Sequence, residues 1–182
     1  ERVGFHKYKF PSSSQSRVII DLGEGSADRP TQTYLKKIND TLFYGYRFSS
    51  GWAADQREYF ALILSKPVTN FILYDRNIRY AKDELRGKYV KGFLEFKTKK
   101  NENIYVKMGV STVSSENALD NLMNEIPHWS FDKVKTEAEQ KWNRELSKIN
   151  IKTNDITKKR VFYTAMYHTM IAPNLYHDLN GE

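Results

Sequence analysis

Apolar and polar residues alternate with a period of two along most of the chain, and the period then lengthens. "HKYKF" (6–10) and "RVIIDL" (17–22) read as short strands joined by a turn-rich connector, "PSSSQS". "YLKKINDTLFYGYRFSS" alternates further, with aromatics at Phe43, Tyr44, Tyr46 and Phe48. "EYFALILS" (58–65) is an unbroken apolar run, which predicts a strand buried on both faces. "VTNFILYD", "YVKGFLEFKT" and "NIYVKMGVS" continue the pattern, and "KTKK" running into "NEN" predicts a hairpin turn. Many short strands separated by turns predict an antiparallel sandwich.

After Val113 the spacing becomes helical. "SSENALDNLMNEI" (114–126) opens on serines that can cap a helix. It then sets Ala118, Leu119, Leu122, Met123 and Ile126 on one stripe, and Pro127 ends it. Ser130 is the next cap, with Asp132 in the first turn. Val134, Ala138, Trp142 and Leu146 follow on one helical face. "LSKINIKT" (146–153) reads as a short strand or extended linker, and Asn154 or Asp155 caps the last helix. In that helix Val161, Phe162, Tyr163, Ala165, Met166, Tyr167, Met170, Ile171 and Ala172 occupy nearly the whole circumference. A helix apolar all round is buried all round, and no earlier segment offers enough helical surface to enclose it. The expectation is that its partners lie outside these residues, with the chain cut just inside a second, helical domain. Pro173 ends the helix, and Asn180-Gly181 reads as a tight hairpin leading into a new strand.

Composition narrows the class. Of 182 residues, 40% are hydrophobic and 14% aromatic, enough for a core. No stretch approaches the roughly 20 apolar residues of a membrane helix. Glu1 in place of Met reads as a processed or cut start, so a missing signal sequence says nothing about secretion. Without cysteine there are no disulfides and no thiolate metal sites. A net charge of +7 permits nucleic-acid binding, but Lys and Arg are interleaved with Asp and Glu, which favours an ordinary solvated surface. "NDT" at Asn39 is a glycosylation sequon that matters only in a eukaryotic secretory pathway.

Candidate chemistry is sparse. His6, His128, His168 and His177 are scattered and form no metal-ligating helix pair, and His168 reads as a core histidine of the apolar helix. "HDLNGE" (177–182) half matches a calcium loop, but its glycine comes too early, so a plain turn is preferred. "SSGWAADQREYF" (49–60) sets Trp52 beside polar groups; a plug at the sandwich edge is favoured over a sugar-stacking ring. Glycosidases need two carboxylates about 5 Å apart for retention or roughly 6.5–9.5 Å apart for inversion, and no local spacing singles out a pair. There is no glycine-rich phosphate loop and no Gly-x-Ser-x-Gly elbow. The residues alone indicate a binding or scaffold surface.

The strings "GFHKYKF", "GYRFSSGWAADQREYFALILSKPV", "VKMGVSTVSSENALDNLMNEIPHWSFDKVKTEAEQKWNRELSKI" and "FYTAMYHTMIAPNLYHDLNGE" resemble the bacterial α-mannosidases of glycoside hydrolase family 92. The resemblance runs from Gly4 onward, and "DRNIRYAKDELRGKYV" (75–90) is its least family-like part. It implies a secreted or surface-attached enzyme, periplasmic or extracellular, of Bacteroides-like bacteria. Such enzymes remove terminal mannose from α-mannosides, of N-glycan or yeast-mannan type, by inversion and with calcium. It also implies the fold class: a mainly β, antiparallel sandwich, then linker helices and the first helix of an (α/α)6 barrel, α+β overall. The expected domains are 1–113 (sandwich), 114–153 (helical linker) and 154–182 (start of the barrel). Catalytic acid, base and calcium ligands are expected outside this segment, so no catalytic or metal residue is assigned here and the segment alone is expected to be inactive. Asp178 and Gly181 match the family's "D.DG.Y" turn, with Asn180 in place of the middle Asp, and Trp52 matches a family position. These three are the expected substrate-binding residues. Expected partners are mannose-containing glycans and the rest of the same polypeptide, with no nucleic acid and no membrane span. The rivals are a non-catalytic carbohydrate-binding sandwich, against which the all-round apolar helix argues, and a basic domain with steeply salt-dependent nucleic-acid binding.

Overall fold

The computed structural model describes residues 1–182. Its elements in chain order are β1 (Val3–Phe10), β2 (Ser13–Asp21), β3 (Arg29–Lys37), β4 (Leu42–Ser50), β5 (Gln56–Leu64), β6 (Asn70–Asp75), β7 (Ile78–Tyr80), β8 (Glu84–Gly87), β9 (Val90–Thr98) and β10 (Glu102–Ser111). Three helices follow: α1 (Ser115–Glu125), α2 (Phe131–Leu146) and α3 (Ile156–Thr169). One sheet has the order β1-β10-β5-β4-β3-β8 and the other β2-β9-β6-β7, with every pair antiparallel. This is the sandwich that the alternation predicts.

The core lies between the sheets. Phe60, Leu62, Leu64, Phe43, Leu35, Ile104 and Val106 of the larger sheet meet Leu73, Val90, Leu94 and Phe96 of the smaller. Register sets the layers: Phe43 opposes Leu62, and Leu62 opposes Met108. Gly92 lets the sheets close, since a Cβ there would stand 2.3 Å from Leu35 Cδ2.

α1 covers part of the outer face of the larger sheet. Ser114 caps it, its Oγ accepting the Asn117 N–H at 3.0 Å. Ala61 of β5 opposes Gly109 of β10, and these two small residues make a flat seat. A Cβ at Gly109 would lie 2.1 Å from the Ala118 carbonyl oxygen and 2.9 Å from Leu122 Cβ. β5 is therefore apolar on both faces for two reasons: its even residues from Phe60 enter the core, and Ala61 lies under α1. At the far end of α1, the buried Lys107 donates to the Ile126 carbonyl at 2.8 Å and sits 4.4 Å from the Trp129 ring centre. Burial pushes its ammonium below the ordinary lysine range.

Several expectations are corrected. Ser13–Ser16 belong to β2 rather than to a connector, because Ser16 Oγ pairs with Thr98 Oγ1 at 2.7 Å across the sheet. The "KTKK/NEN" turn joins different sheets and is not a hairpin: β9 pairs with β2 and β6, whereas β10 lies between β1 and β5. Asn101, at φ 63, reverses the chain there. Of the two readings of 146–153 the linker holds, since residues 147–154 form no strand. Asn180-Gly181 does turn the chain, but inside a loop in which the Gly181 N–H donates to the Asp178 carbonyl at 3.0 Å, not between paired strands.

The chain divides into Glu1–Trp129 with His177–Glu182, and Ser130–Tyr176. α1 rests on β10 and β5, and residues 177–182 return to the sandwich unit. In the second unit, Trp142 of α2 meets Tyr167 of α3 edge to face at 4.6 Å. Asp155 caps α3, accepting the Lys158 N–H at 3.0 Å. These residues do not enclose α3, in line with the shortage of helical surface read from the sequence. None of its residues is buried, and Val161 is 63% exposed, because only α2 within its unit packs on it.

Candidate functional site

β10 ends at Ser111, and α1 presents Asn117 and Asn121 one turn apart on the same face. Asp178 is inserted among them. Ser111 Oγ donates to Asp178 Oδ2 at 2.5 Å, and Asn117 Nδ2 to the same oxygen at 2.9 Å. Asn121 Nδ2 donates to Asp178 Oδ1 at 2.7 Å and to the Val110 carbonyl at 3.0 Å. Its Oδ1 accepts the Leu179 N–H at 2.9 Å. Asp178 is 3% exposed and Asn121 1%. Burial alone would raise the Asp178 carboxyl; the donors Ser111, Asn117 and Asn121, with the charge of Arg2, outweigh it and hold the group below the usual carboxylate range. Asp178 is therefore an anion at neutral pH. Arg2 ties the segment to the chain's start: its Nε donates to the His177 carbonyl at 2.7 Å and its Nη1 to Glu125 Oε1 at 2.9 Å.

Beside this knot lies a cleft of about 360 Å³ lined by Asn117, Asp120, Asn124, Asp178, Leu179 and Asn180. Amides and carboxylates supply both donors and acceptors, the set that neutral hydroxyls match. Gly181 has φ +91 and no atom within 4 Å of a built Cβ, so the backbone turn, not a close approach, requires glycine there.

Asp178 and Gly181 thus share one turn, while Trp52 lines a different cleft. Trp52 is fully exposed at 102%, beside Asp28, Arg47, Gln56 and Glu58. It does not plug the sandwich edge as expected, because the core is already closed by strand residues. Next to it, Arg47 grips Asp28 with both terminal nitrogens, Nη2 reaching Oδ1 at 3.2 Å. Hydrogen bonds from Arg47 and Ser49 lower the Asp28 carboxyl to about 2. His168 is exposed on α3 rather than buried in a core.

Sequence reasoning missed Asn121 and a ring ladder on the larger sheet. Tyr34 opposes Tyr46, Tyr46 opposes Tyr59, and Tyr59 opposes Ser111. Tyr46 stacks on Phe48 at 4.3 Å and on Tyr34 at 5.3 Å, with Arg86 over Tyr34 and Arg57 over Phe48. Burial and the Glu84 carboxylate push the Tyr34 hydroxyl up to about 12. The aromatics at every second position of β4 were the available signal.

No three His, Cys, Asp or Glu side chains gather as a metal cage. Both Asp178 oxygens already accept hydrogen bonds, and a divalent cation would have to displace those donors. These residues do not fit a calcium site.

Residues 1–111 match the glycosyl hydrolase family 92 N-terminal domain, and 117–182 match the glycosyl hydrolase family 92 catalytic domain. The fold is similar to that of a family GH92 α-mannosidase from Bacteroides thetaiotaomicron, with TM-score 0.90 and 27% identity over 98% of this chain and 25% of that one. A family GH92 inverting mannosidase from Bacteroides thetaiotaomicron VPI-5482 gives TM-score 0.85 over 99% of this chain and 24% of its own, at 20% identity, a likeness of fold alone. An uncharacterised secreted glycosidase of Arthroderma benhamiae is 32% identical over 102 residues, 52% of this chain and 13% of that protein. The chain thus spans about a quarter of the length of the solved relatives. The family's N-terminal domain covers the ten strands and its catalytic domain begins within α1, so the chain belongs to glycosyl hydrolase family 92.

Proposed function

We propose that this chain is the sandwich and linker part of a glycosidase that removes terminal mannose from α-mannosides, of N-glycan or yeast-mannan type, with inversion. The observation that carries the reading is the fold shared with the Bacteroides α-mannosidase over 98% of the chain. The acid and base that inversion needs, roughly 6.5–9.5 Å apart, are assigned to the rest of the polypeptide, as are the ligands of a calcium ion in the whole enzyme. This segment's part is to support the barrel, to present Trp52 and the Asp178–Gly181 turn on the sugar side, and to be inactive alone. No helix is long and apolar enough to cross a membrane. The secreted relative supports an extracellular setting.

The test is hydrolysis of α-linked mannobioses by the full-length protein, followed by proton NMR of the first-formed sugar. Release of β-mannose, abolished by a chelator and restored by calcium, is expected. First-formed α-mannose would overturn inversion, activity untouched by the chelator would overturn the calcium assignment, and no cleavage of any α-mannoside would overturn the reading itself.

A further inference from the structure

The carboxylate of Asp178 is fully engaged inside the protein. It reaches Ser111 across 67 positions of sequence and Asn121 across 57. Three of its roughly four acceptor positions are filled, and the residue is 3% exposed at the wall of the cleft. The same node controls the residues that follow. Asn121 Oδ1 holds the Leu179 N–H, the Asp178 carbonyl holds the Gly181 N–H at 3.0 Å, and the Glu182 carbonyl takes the Asp178 N–H at 2.7 Å. Arg2 adds its bond to the His177 carbonyl. Ser111 and Arg2 lie in the part matched by the N-terminal domain, and Asp178 in the part matched by the catalytic domain, so the node bolts one to the other.

We propose that Asp178 is a positioning residue that touches no sugar. It is a buried latch by which Ser111, Asn121 and Arg2 hold the turn 179–182 against α1, shaping the polar cleft for the hydroxyls of a terminal glycoside. The ligand rests on the mannosidase reading; the latch does not. Charge-assisted bonds to a buried carboxylate are strong, and losing one leaves buried amide donors unpaired. The sandwich therefore acts on glycoside binding through this carboxylate.

Asp178→Asn, Asn121→Ala and the double variant, made in the full-length enzyme, test this. Each is measured by amide hydrogen exchange over 177–182 and by KM and kcat on an α-mannobioside. Each single variant is expected to speed exchange of the turn about tenfold or more and to raise KM about tenfold, with kcat changed less than about threefold. The double variant is expected to be no worse than either single one, since both break the same node. Multiplicative losses would show Asp178 acting on the sugar directly, and unchanged exchange in Asp178→Asn would remove the latch. If Asp178→Asn does not fold, Ser111→Ala removes one donor and leaves the carboxylate. A smaller shift in the same direction is then expected, and no shift overturns the proposal. Failure of the wild type to cleave any mannoside sinks the mannosidase reading while the exchange measurements still decide the latch.

Discussion

Asp28 and Asp178 are both carboxylates held below the usual range, but by different neighbours. Asp178 is buried and netted by neutral donors; Asp28 is gripped by one guanidinium near the surface. The Asp28 carboxyl titrates at about 2 when folded, against the ordinary 3.8. A depressed carboxylate adds stability that is complete above the unfolded value and is lost as pH falls through the folded one. The Arg47–Asp28 pair should therefore support the fold above about pH 4 and stop doing so near about pH 2. Arg47→Met is expected to cost roughly 1 kcal/mol at neutral pH, allowing for solvent screening, and to flatten the acid limb of melting temperatures taken between about pH 5 and pH 2. A limb of unchanged slope would assign the acid sensitivity to other carboxylates. Asn121 shows what was hidden at this scale. It lies beside Leu122 on α1, and a stripe read from apolar residues passes over a buried amide whose partner, Asp178, is far along the chain.

At the scale of elements, α1 depends on a seat with no side chain. The Cβ of any residue at Gly109 meets the backbone oxygen of Ala118 at 2.1 Å, and backbone cannot rotate aside. Gly109→Ala alone is expected to lift α1 and cost about 2 kcal/mol, with a larger residue costing more, read from the urea midpoint. A midpoint within error of the wild type would mean that α1 slides on the sheet freely. The ends of α1 were legible because Ser114 and Pro127 are local signals. Its seat was not, because Gly109 and Ala61 look like weak strand residues until β10 and β5 are paired. The hairpin expected at 99–101 failed for the same reason. Turn chemistry reverses the chain but does not select the strand with which the next segment pairs.

Across the whole molecule, the apolar surface left on α3 makes a prediction of its own. Val161 is 63% exposed, and Phe162 and Met166 are only partly covered. Val161→Glu is expected to change the melting of residues 1–182 alone by under about 0.5 kcal/mol, as surface changes usually do. In the full-length protein the same change should cost about 3 kcal/mol or more if the barrel reading is right, because a charge would then be buried. Equal small effects in both would show α3 to be an outer helix. Most strands, the three helices, the Ser114 and Asp155 caps, the two-faced burial of β5 and the family signature were written in local pattern, since period and capping act over a few residues. Which strands share a sheet, where α1 is seated and why Asp178 is buried were settled only on folding. Those features rest on residues far apart in sequence, Val3 with Gly109 and Ser111 with Asp178 among them, and no local period records which distant group will satisfy a buried charge.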